Sequence, residues 1–217
     1  MKSSPVSFKN IPTIFDIKAG YPAVKGLFFD MDGTLFNTEP IHTRALLKIG
    51  EKYQIKPPYP AEVVHHLMVG KADHMLFDMI QHWEGMPKNW EVHDFVKEKN
   101  KNVVDLIINT PVSDYLYEEM STLIKNAYDE GFFIALVTSS EKIVTEEILR
   151  ISGLAQFFHL ILTRDDCPKH KPDPWPYLKA IELSNLQSHQ IVIFEDSNVG
   201  LEAAVSSAPH VIKVEWF

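Results

Sequence analysis

The sequence predicts an α/β fold in which a Rossmann-like parallel sheet with helices on both faces carries an inserted all-α domain. Short apolar, β-rich runs alternate with helical stretches from residue 24 onward, and this alternation implies parallel strands joined by right-handed crossovers. Residues 37–113 are too many for one strand connection, and their hydrophobic period is helical. We therefore expect an α/β core from residues 1–36 and 114–217, and a helical cap domain from residues 37–113.

Each predicted strand is a short apolar run that ends at a turn or at polar residues. The strands are predicted at 24–29, 132–137, 160–163, 191–194 and 211–214. Core helices are predicted at 141–151, 175–183 and 199–206, and cap helices at 41–53, 61–68, 72–83 and 91–109. Prolines and a glycine interrupt the segment before residue 24, so we expect an irregular arm there, with Ile14 and Phe15 packed on the core.

Composition excludes several classes of protein. The 217 residues, of which 45% are hydrophobic, suffice for one domain core and an insertion. A net charge of −8 argues against nonspecific nucleic-acid binding. No apolar run reaches the roughly 18 to 20 residues of a membrane span, and no signal-peptide block is visible. Because a single cysteine fits a reducing compartment, we expect a cytoplasmic protein with no membrane partner.

The most informative motif is LFFDMDGTLFNTE, in which Asp30 and Asp32 follow an apolar strand and enter a Gly-Thr turn. Open α/β sheets bind ligands at the carboxyl ends of their strands. Two carboxylates so close together need a cation between them or a raised pKa. The arrangement therefore favours a Mg²⁺-assisted phosphoryl-transfer site, and the alternative is a solvated surface turn.

Two further strands end in residue types that could bind phosphate or metal. Thr138, Ser139 and Ser140 follow the second strand, where hydroxyls and turn amides could hold phosphate oxygens. The alternative is that Ser140 caps the next helix. Glu195 and Asp196 follow the strand at 191–194, and Asp196 could be a metal ligand or a simple helix cap.

A fourth segment, KHKPDPWP, places Lys171 between backbone-restricting prolines. A lysine held in this way suits a stationary anion. A solvated loop lysine is the alternative, since Lys169 lies two positions earlier.

Together, DMDGTLFNTE, TSS after a buried strand, KPDP and EDSNVGLEAA resemble the haloacid dehalogenase (HAD) superfamily, in its phosphatase and β-phosphoglucomutase-like branch. The resemblance covers nearly everything from Val24 onward. It implies that Asp30 is a nucleophile that becomes an aspartyl phosphate, and that Asp32 is the general acid and base. Dehalogenases of the superfamily lack a carboxylate at the second position, so Asp32 argues against dehalogenation.

The same resemblance implies a Mg²⁺ cofactor and a set of binding residues. The carboxylates of Asp30 and Asp196 and the backbone carbonyl of Asp32 would hold Mg²⁺, with Glu195 in support. The residues that would contact phosphate are Thr138 through its hydroxyl, Ser139 through its amide and Lys171 through its charge.

Residues of the predicted cap bear on the choice of substrate. The resemblance places His42 near the hinge and Lys71 in a substrate-facing loop, although both could be solvated helix residues. Sugar phosphomutases of this branch usually carry an arginine shortly after the glycine that corresponds to Gly70, and Ala72, Asp73 and His74 stand there instead. The return segment, 114–120, also lacks the Pro-Gly of many relatives, which affects the expected hinge and leaves the chemistry unchanged.

We therefore expect a Mg²⁺-dependent phosphatase that acts on a small phosphorylated metabolite such as a sugar phosphate. A β-phosphoglucomutase-like phosphomutase is the alternative among enzymes. A catalytically idle binding or regulatory protein with the same fold is the alternative from another class. The sequence alone supplies neither the metabolite nor the number of subunits.

Overall fold

The computed structural model describes residues 6–8, 10–60, 63–64 and 73–217. Its centre is a six-stranded, wholly parallel sheet with the strand order β1-β6-β5-β2-β3-β4. The strands are β1 (Val6–Phe8), β2 (Gly26–Phe29), β3 (Phe133–Val137), β4 (Leu160–Leu162), β5 (Ile191–Glu195) and β6 (His210–Val214). The predicted parallel α/β fold is confirmed.

Eight helices complete the described secondary structure, apart from short 3-10 turns. They are α1 (Ile14–Gly20), α2 (Glu39–Tyr53), α3 (Asp73–Ile80), α4 (Val92–Asn109), α5 (Glu118–Asp129), α6 (Lys142–Ser152), α7 (Trp175–Ser184) and α8 (Asn198–Ser207). Among the residues that the structure describes, no helix is both long enough and apolar enough to cross a membrane.

The middle of the sheet determines where the polar motifs lie. Strand β2 pairs with β3 on one side and with β5 on the other, so that Phe29 stands beside Leu136 and Phe194. All residues of β2 and β5 are buried, as the apolar runs at 27–29 and 191–194 predict for strands covered on both faces. Because the three strands are parallel and in register, the residues that follow them leave the sheet at one edge.

The segment before β2 differs from the sequence prediction. Instead of an irregular arm, it contains β1, which pairs with β6, and the short helix α1. Thr13 begins α1 with a capping box, in which its amide donates to Asp16 Oδ2 at 2.9 Å. Ile14 is buried as expected, but Phe15 is 76% exposed, so its predicted packing on the core is wrong.

The chain divides into two compact units, residues 1–37 with 112–217 and residues 38–111. The second unit contains α2, α3 and α4, and one cluster of its buried apolar residues comprises Ile49, Leu76, Phe77, Ile80, Met86 and Phe95. Three of its four predicted helices are present within a few residues of their expected bounds. The fourth, predicted at 61–68, lies mostly outside the described residues and stays a prediction, as does the role of the unit as a cap.

A partly buried ion pair inside the second unit offers a test of its packing. The Lys99 ammonium donates to Asp73 Oδ1 at the start of α3, and Lys99 is only 8% exposed. Replacing Lys99 by Met should leave the Asp73 carboxylate without its counterion and lower the free energy of unfolding by about 2–3 kcal/mol. Chemical denaturation measures this loss. Lys101→Met, at an exposed position on the same helix, should stay within about 0.5 kcal/mol of wild type, and equal losses in the two variants would contradict the buried-pair argument.

Candidate active site

Three carboxylates meet at the edge of the sheet where β2 and β5 end. One oxygen from each of Asp30, Glu195 and Asp196 lies within 4.8 Å of the others. Asp30 follows β2 directly, and its amide donates to the Phe194 carbonyl at 3.0 Å, which fixes it beside the end of β5. The register of the two strands thus brings together residues that are far apart in the sequence.

Lys171 supplies a buried positive charge to this group. Its ammonium donates to Asp30 Oδ1 at 2.6 Å, to the Val137 carbonyl at 2.9 Å and to Glu195 Oε1. An ammonium has three N–H donors, and these three acceptors use them all. The side chain is 3% exposed, so the alternative of a solvated loop lysine is wrong.

Three side chains donate to Glu195: Lys171, Tyr177 and Ser197, whose hydroxyl lies 3.5 Å from Glu195 Oε2. The sequence prediction missed Tyr177. Besides Lys171, the Tyr177 hydroxyl donates to Glu195 Oε1 at 2.6 Å, and the Lys171 ammonium lies 4.8 Å from the centre of the Tyr177 ring. Gly200 on α8 leaves room for this carboxylate, because a Cβ at position 200 would overlap with it. Tyr177 lies six residues after Lys171, near the start of α7 and beside apolar residues, where a tyrosine is indistinguishable from an ordinary core residue.

Asp32 contacts the segment that follows β3. The Ser140 hydroxyl donates to Asp32 Oδ2, and the Ser140 amide donates to Thr138 Oγ1 at 3.0 Å. The interpretation of Ser140 as a helix cap is therefore wrong, since α6 begins after Glu141. Thr138 is buried, whereas Ser139 is exposed.

The turn that follows Asp32 also contacts Asp196. Thr34 donates its hydroxyl to Asp196 Oδ1 at 3.0 Å. Gly33 has φ +81°, and a Cβ there would overlap with the Asp196 carboxylate, so both the backbone conformation and the space require glycine. No local pattern in the sequence marks Thr34 for this contact, because its partner lies 162 residues away.

One of the two predicted cap residues, His42, is among the residues that the structure describes. His42 lies in α2 of the second unit, where its amide donates to the Thr38 carbonyl at 2.9 Å. Lys71 lies outside the described residues. The roles expected for both stay predictions.

Burial and mutual repulsion shift the acidity of the carboxyl groups. Burial raises the pKa of Asp30 well above its ordinary value, and the carboxylates of Glu195 and Asp196 raise it further, whereas Lys171 lowers it. Burial, then repulsion from Glu195, raises the pKa of Asp196 to about 6. Burial alone would lower the pKa of Lys171, but Asp30 and Glu195 raise it above that of an ordinary lysine. One ammonium thus faces three acids.

This donor set fits a hard divalent cation. Carboxylate oxygens are the ligands that Mg²⁺ prefers, and a second positive charge beside Asp30 and Asp196 would relieve the repulsion that raises their pKa values. The carboxylate of Asp32 is not among the three oxygens that the described residues bring together, and the expected contribution of its backbone carbonyl stays a prediction.

Asp196→Asn should stabilise the metal-free protein in a pH-dependent way. In the folded wild type the Asp196 carboxyl has a pKa of about 6, which is higher than that of aspartate in the unfolded chain. Ionising this carboxyl in the folded state therefore costs free energy once the pH exceeds the pKa of unfolded aspartate. By pH 8 this cost should lower the free energy of unfolding of wild type by about 2–3 kcal/mol. Asn carries no such charge, so the variant should melt higher at pH 8 and nearly like wild type at pH 4. Melting in EDTA across this range measures the difference, and a gain that does not depend on pH would contradict the charge argument.

Comparison with known proteins identifies the family. The model of the family described as haloacid dehalogenase-like hydrolase matches residues 27–214, which include every motif described above. The chain belongs to this family. The superfamily resemblance drawn from the sequence motifs is thus confirmed.

Named relatives extend over most of the chain. A phosphorylated carbohydrates phosphatase of Thermotoga maritima is 30% identical over 85% of this chain and 82% of its own length. The fructose-1-phosphate phosphatase YqaB of Escherichia coli is 24% identical over 89% of this chain and 98% of its own. The crystal structure of CbbY from Rhodobacter sphaeroides in complex with phosphate matches with a TM-score of 0.75 and 24% identity, covering 88% of this chain and 85% of that one. At that identity the last match supports the fold alone.

Proposed function

We propose that this family member is a Mg²⁺-dependent phosphatase that removes phosphate from a small phosphorylated metabolite through an aspartyl-phosphate intermediate. The observation that carries the proposal is the meeting of Asp30, Asp196 and Lys171 at one point on the edge of the sheet. A nucleophilic carboxylate, a metal-binding carboxylate and a fixed cation are what phosphoryl transfer to an aspartate needs.

The enzyme class has the broadest support. The chain belongs to a family of hydrolases, and relatives that match over more than four fifths of its length are named phosphatases. The chain is therefore a phosphoric monoester hydrolase. Its metal, its intermediate and its substrate belong to the proposal.

Asp30 is the proposed nucleophile. One of its carboxylate oxygens attacks phosphorus, the bond from phosphorus to the leaving alcohol breaks, and the phosphoryl group is then on Asp30. Water afterwards attacks this phosphorus, releases inorganic phosphate and restores the carboxylate. Lys171 donates to Asp30 Oδ1, so it both positions the nucleophile and offsets the negative charge that accumulates on the phosphoryl group.

Asp32 is the proposed proton carrier for both steps. It gives a proton to the leaving alcohol oxygen and later takes one from the attacking water. One group can do both, because the first step leaves Asp32 deprotonated and the second step protonates it again. The Ser140 hydroxyl donates to Asp32 Oδ2 and so restricts this side chain. Thr138, Ser139 and Lys171 are proposed to contact the phosphate oxygens.

Mg²⁺ would be held by the carboxylates of Asp30 and Asp196 and by the backbone carbonyl of Asp32. When bound, it would offset the charge of the phosphoryl oxygens and keep the carboxylates ionised at neutral pH. Glu195 is proposed as a supporting group, because Lys171 and Tyr177 both donate to it.

The substrate class rests on the relatives. Those named for phosphorylated carbohydrates, fructose 1-phosphate and phosphoglycolate support a small phosphorylated metabolite, with sugar phosphates first. Residues 38–111 are proposed to act as a cap that excludes water and selects the substrate, with His42 and Lys71 as candidate contributors.

The experiment is phosphate release from a panel of sugar phosphates, phosphoglycolate and other small phosphate esters, with Mg²⁺ and with EDTA. We expect release from at least one sugar phosphate only when Mg²⁺ is present. An isomeric sugar phosphate formed in place of free phosphate would instead indicate a phosphomutase. No turnover by folded protein, together with no Mg²⁺ binding, would indicate a binding protein.

A further inference from the structure

The segment after β6 contacts the turn that carries the candidate active-site residues. Trp216 lies two residues beyond the end of β6 and is buried. Its indole Nε1–H donates to the Thr34 backbone carbonyl at 3.0 Å, with both groups buried. The Trp216 ring also lies 6.4 Å from that of Phe194 in β5, so packing fixes the direction of the indole N–H.

Thr34 links this bond to the proposed metal ligand. The residue is fully buried, accepts from Trp216 through its carbonyl and donates through its hydroxyl to Asp196 Oδ1 at 3.0 Å. The remainder of the turn is closed by its own backbone, where Leu35 and Phe36 both donate to the Met31 carbonyl. The Thr34 carbonyl takes no part in these backbone bonds and instead accepts its hydrogen bond from Trp216.

We propose that Trp216 is a positioning residue, which fixes Thr34 so that the Thr34 hydroxyl orients the Asp196 carboxylate for Mg²⁺. The proposal rests on the proposed function, and it adds a residue outside the four sequence motifs. Groups that hydrogen-bond a metal ligand set its orientation and hence the affinity of the site. A phenyl ring could fill the same apolar space, but it has no N–H to donate to the Thr34 carbonyl.

Calorimetric titration of substrate-free protein with Mg²⁺ tests the proposal. Trp216→Phe keeps an aromatic ring against Phe194 and removes the donor, and we expect it to weaken Mg²⁺ binding about tenfold. The matched control is Trp90→Phe in the second unit, where the Trp90 ring contacts Tyr53 at 4.8 Å. That control should bind Mg²⁺ within about twofold of wild type.

A double-mutant cycle separates positioning from general destabilisation. Thr34→Val removes the hydroxyl that contacts Asp196 and should also weaken Mg²⁺ binding about tenfold. If Trp216 acts through Thr34, the double variant should lose little more than Thr34→Val alone. In turnover assays, Trp216→Phe should raise the Mg²⁺ concentration needed for half-maximal rate while kcat at saturating Mg²⁺ stays within about twofold.

A fluorescence measurement keeps the proposal testable if Trp216→Phe does not fold. Mg²⁺ should change the tryptophan emission of wild type, and the change should shrink markedly in Thr34→Val. Equal emission changes in both proteins, unchanged affinity in folded Trp216→Phe, or fully additive losses in the cycle would overturn this inference alone. Wild type that binds no Mg²⁺ would overturn the proposed function and this inference with it.

Discussion

Asp30→Asn is expected to lower phosphate release by at least about a thousandfold, because the amide cannot attack phosphorus and the remaining groups act only together with the nucleophile. Asp30 is buried beside the Lys171 ammonium, so the substitution removes the reacting oxygen at the centre of the site. The measurement is kcat on the best substrate of the panel, at saturating Mg²⁺.

Folding of this variant is expected to be intact. Burial and neighbouring carboxylates raise the pKa of Asp30, so a neutral amide relieves repulsion in the metal-free protein, and its melting temperature should equal or exceed that of wild type. Asp129→Asn, at an exposed position on α5, controls for the loss of one charge and should keep full activity. Residual turnover above about a hundredth of wild type in Asp30→Asn would contradict nucleophilic catalysis by this residue.

Lys171→Met is expected to damage both activity and stability. The substitution keeps an unbranched side chain and removes the ammonium that Asp30 and Glu195 share. We expect kcat to fall by about 10²–10³-fold, because a preorganised cation at the phosphoryl group is lost. The free energy of unfolding should fall by about 3–5 kcal/mol at pH 8, since two buried carboxylates lose their counterion.

The pH dependence of this loss has a definite sign. Without the ammonium, the Asp30 carboxyl should keep its proton to higher pH, so the loss of stability should shrink as the pH falls and this carboxyl becomes neutral. Lys169→Met, whose ammonium is 3.3 Å from Asp173 on the protein surface, is the matched control and should change stability by less than about 1 kcal/mol. Comparable losses in the two lysine variants would show that Lys171 has no special role.

The sequence was sufficient to place the residues whose positions follow from strand ends. Asp30 and Thr138 directly follow apolar strand ends, and Asp196 follows Glu195 at the end of β5. Parallel strands in register bring such residues to one edge. Because α/β sheets bind ligands at this edge, polar residues that follow successive strands in the sequence predict a site there. Lys171 was predicted from its motif, although only the structure shows that three acceptors hold it.

Other parts of the fold could not be predicted, because their causes are not local. Tyr177, Thr34 and Trp216 are ordinary residues in their own segments and gain a role only from partners more than 15 residues away. Strand β1 has three residues and exists because it pairs with β6, so no local pattern distinguishes it from an arm. A sound local rule made a helix cap the alternative for Ser140, but α6 begins after Glu141 and the Ser140 hydroxyl donates to Asp32.

Trapping the covalent intermediate tests the central claim most directly. The protein is mixed with Mg²⁺ and its best substrate, quenched within one turnover and treated with borohydride, which reduces an aspartyl phosphate to homoserine. Peptide mass spectrometry should then find homoserine at position 30 in wild type and not in Asp30→Asn. Turnover without any modified residue, or modification at another position, would contradict the account.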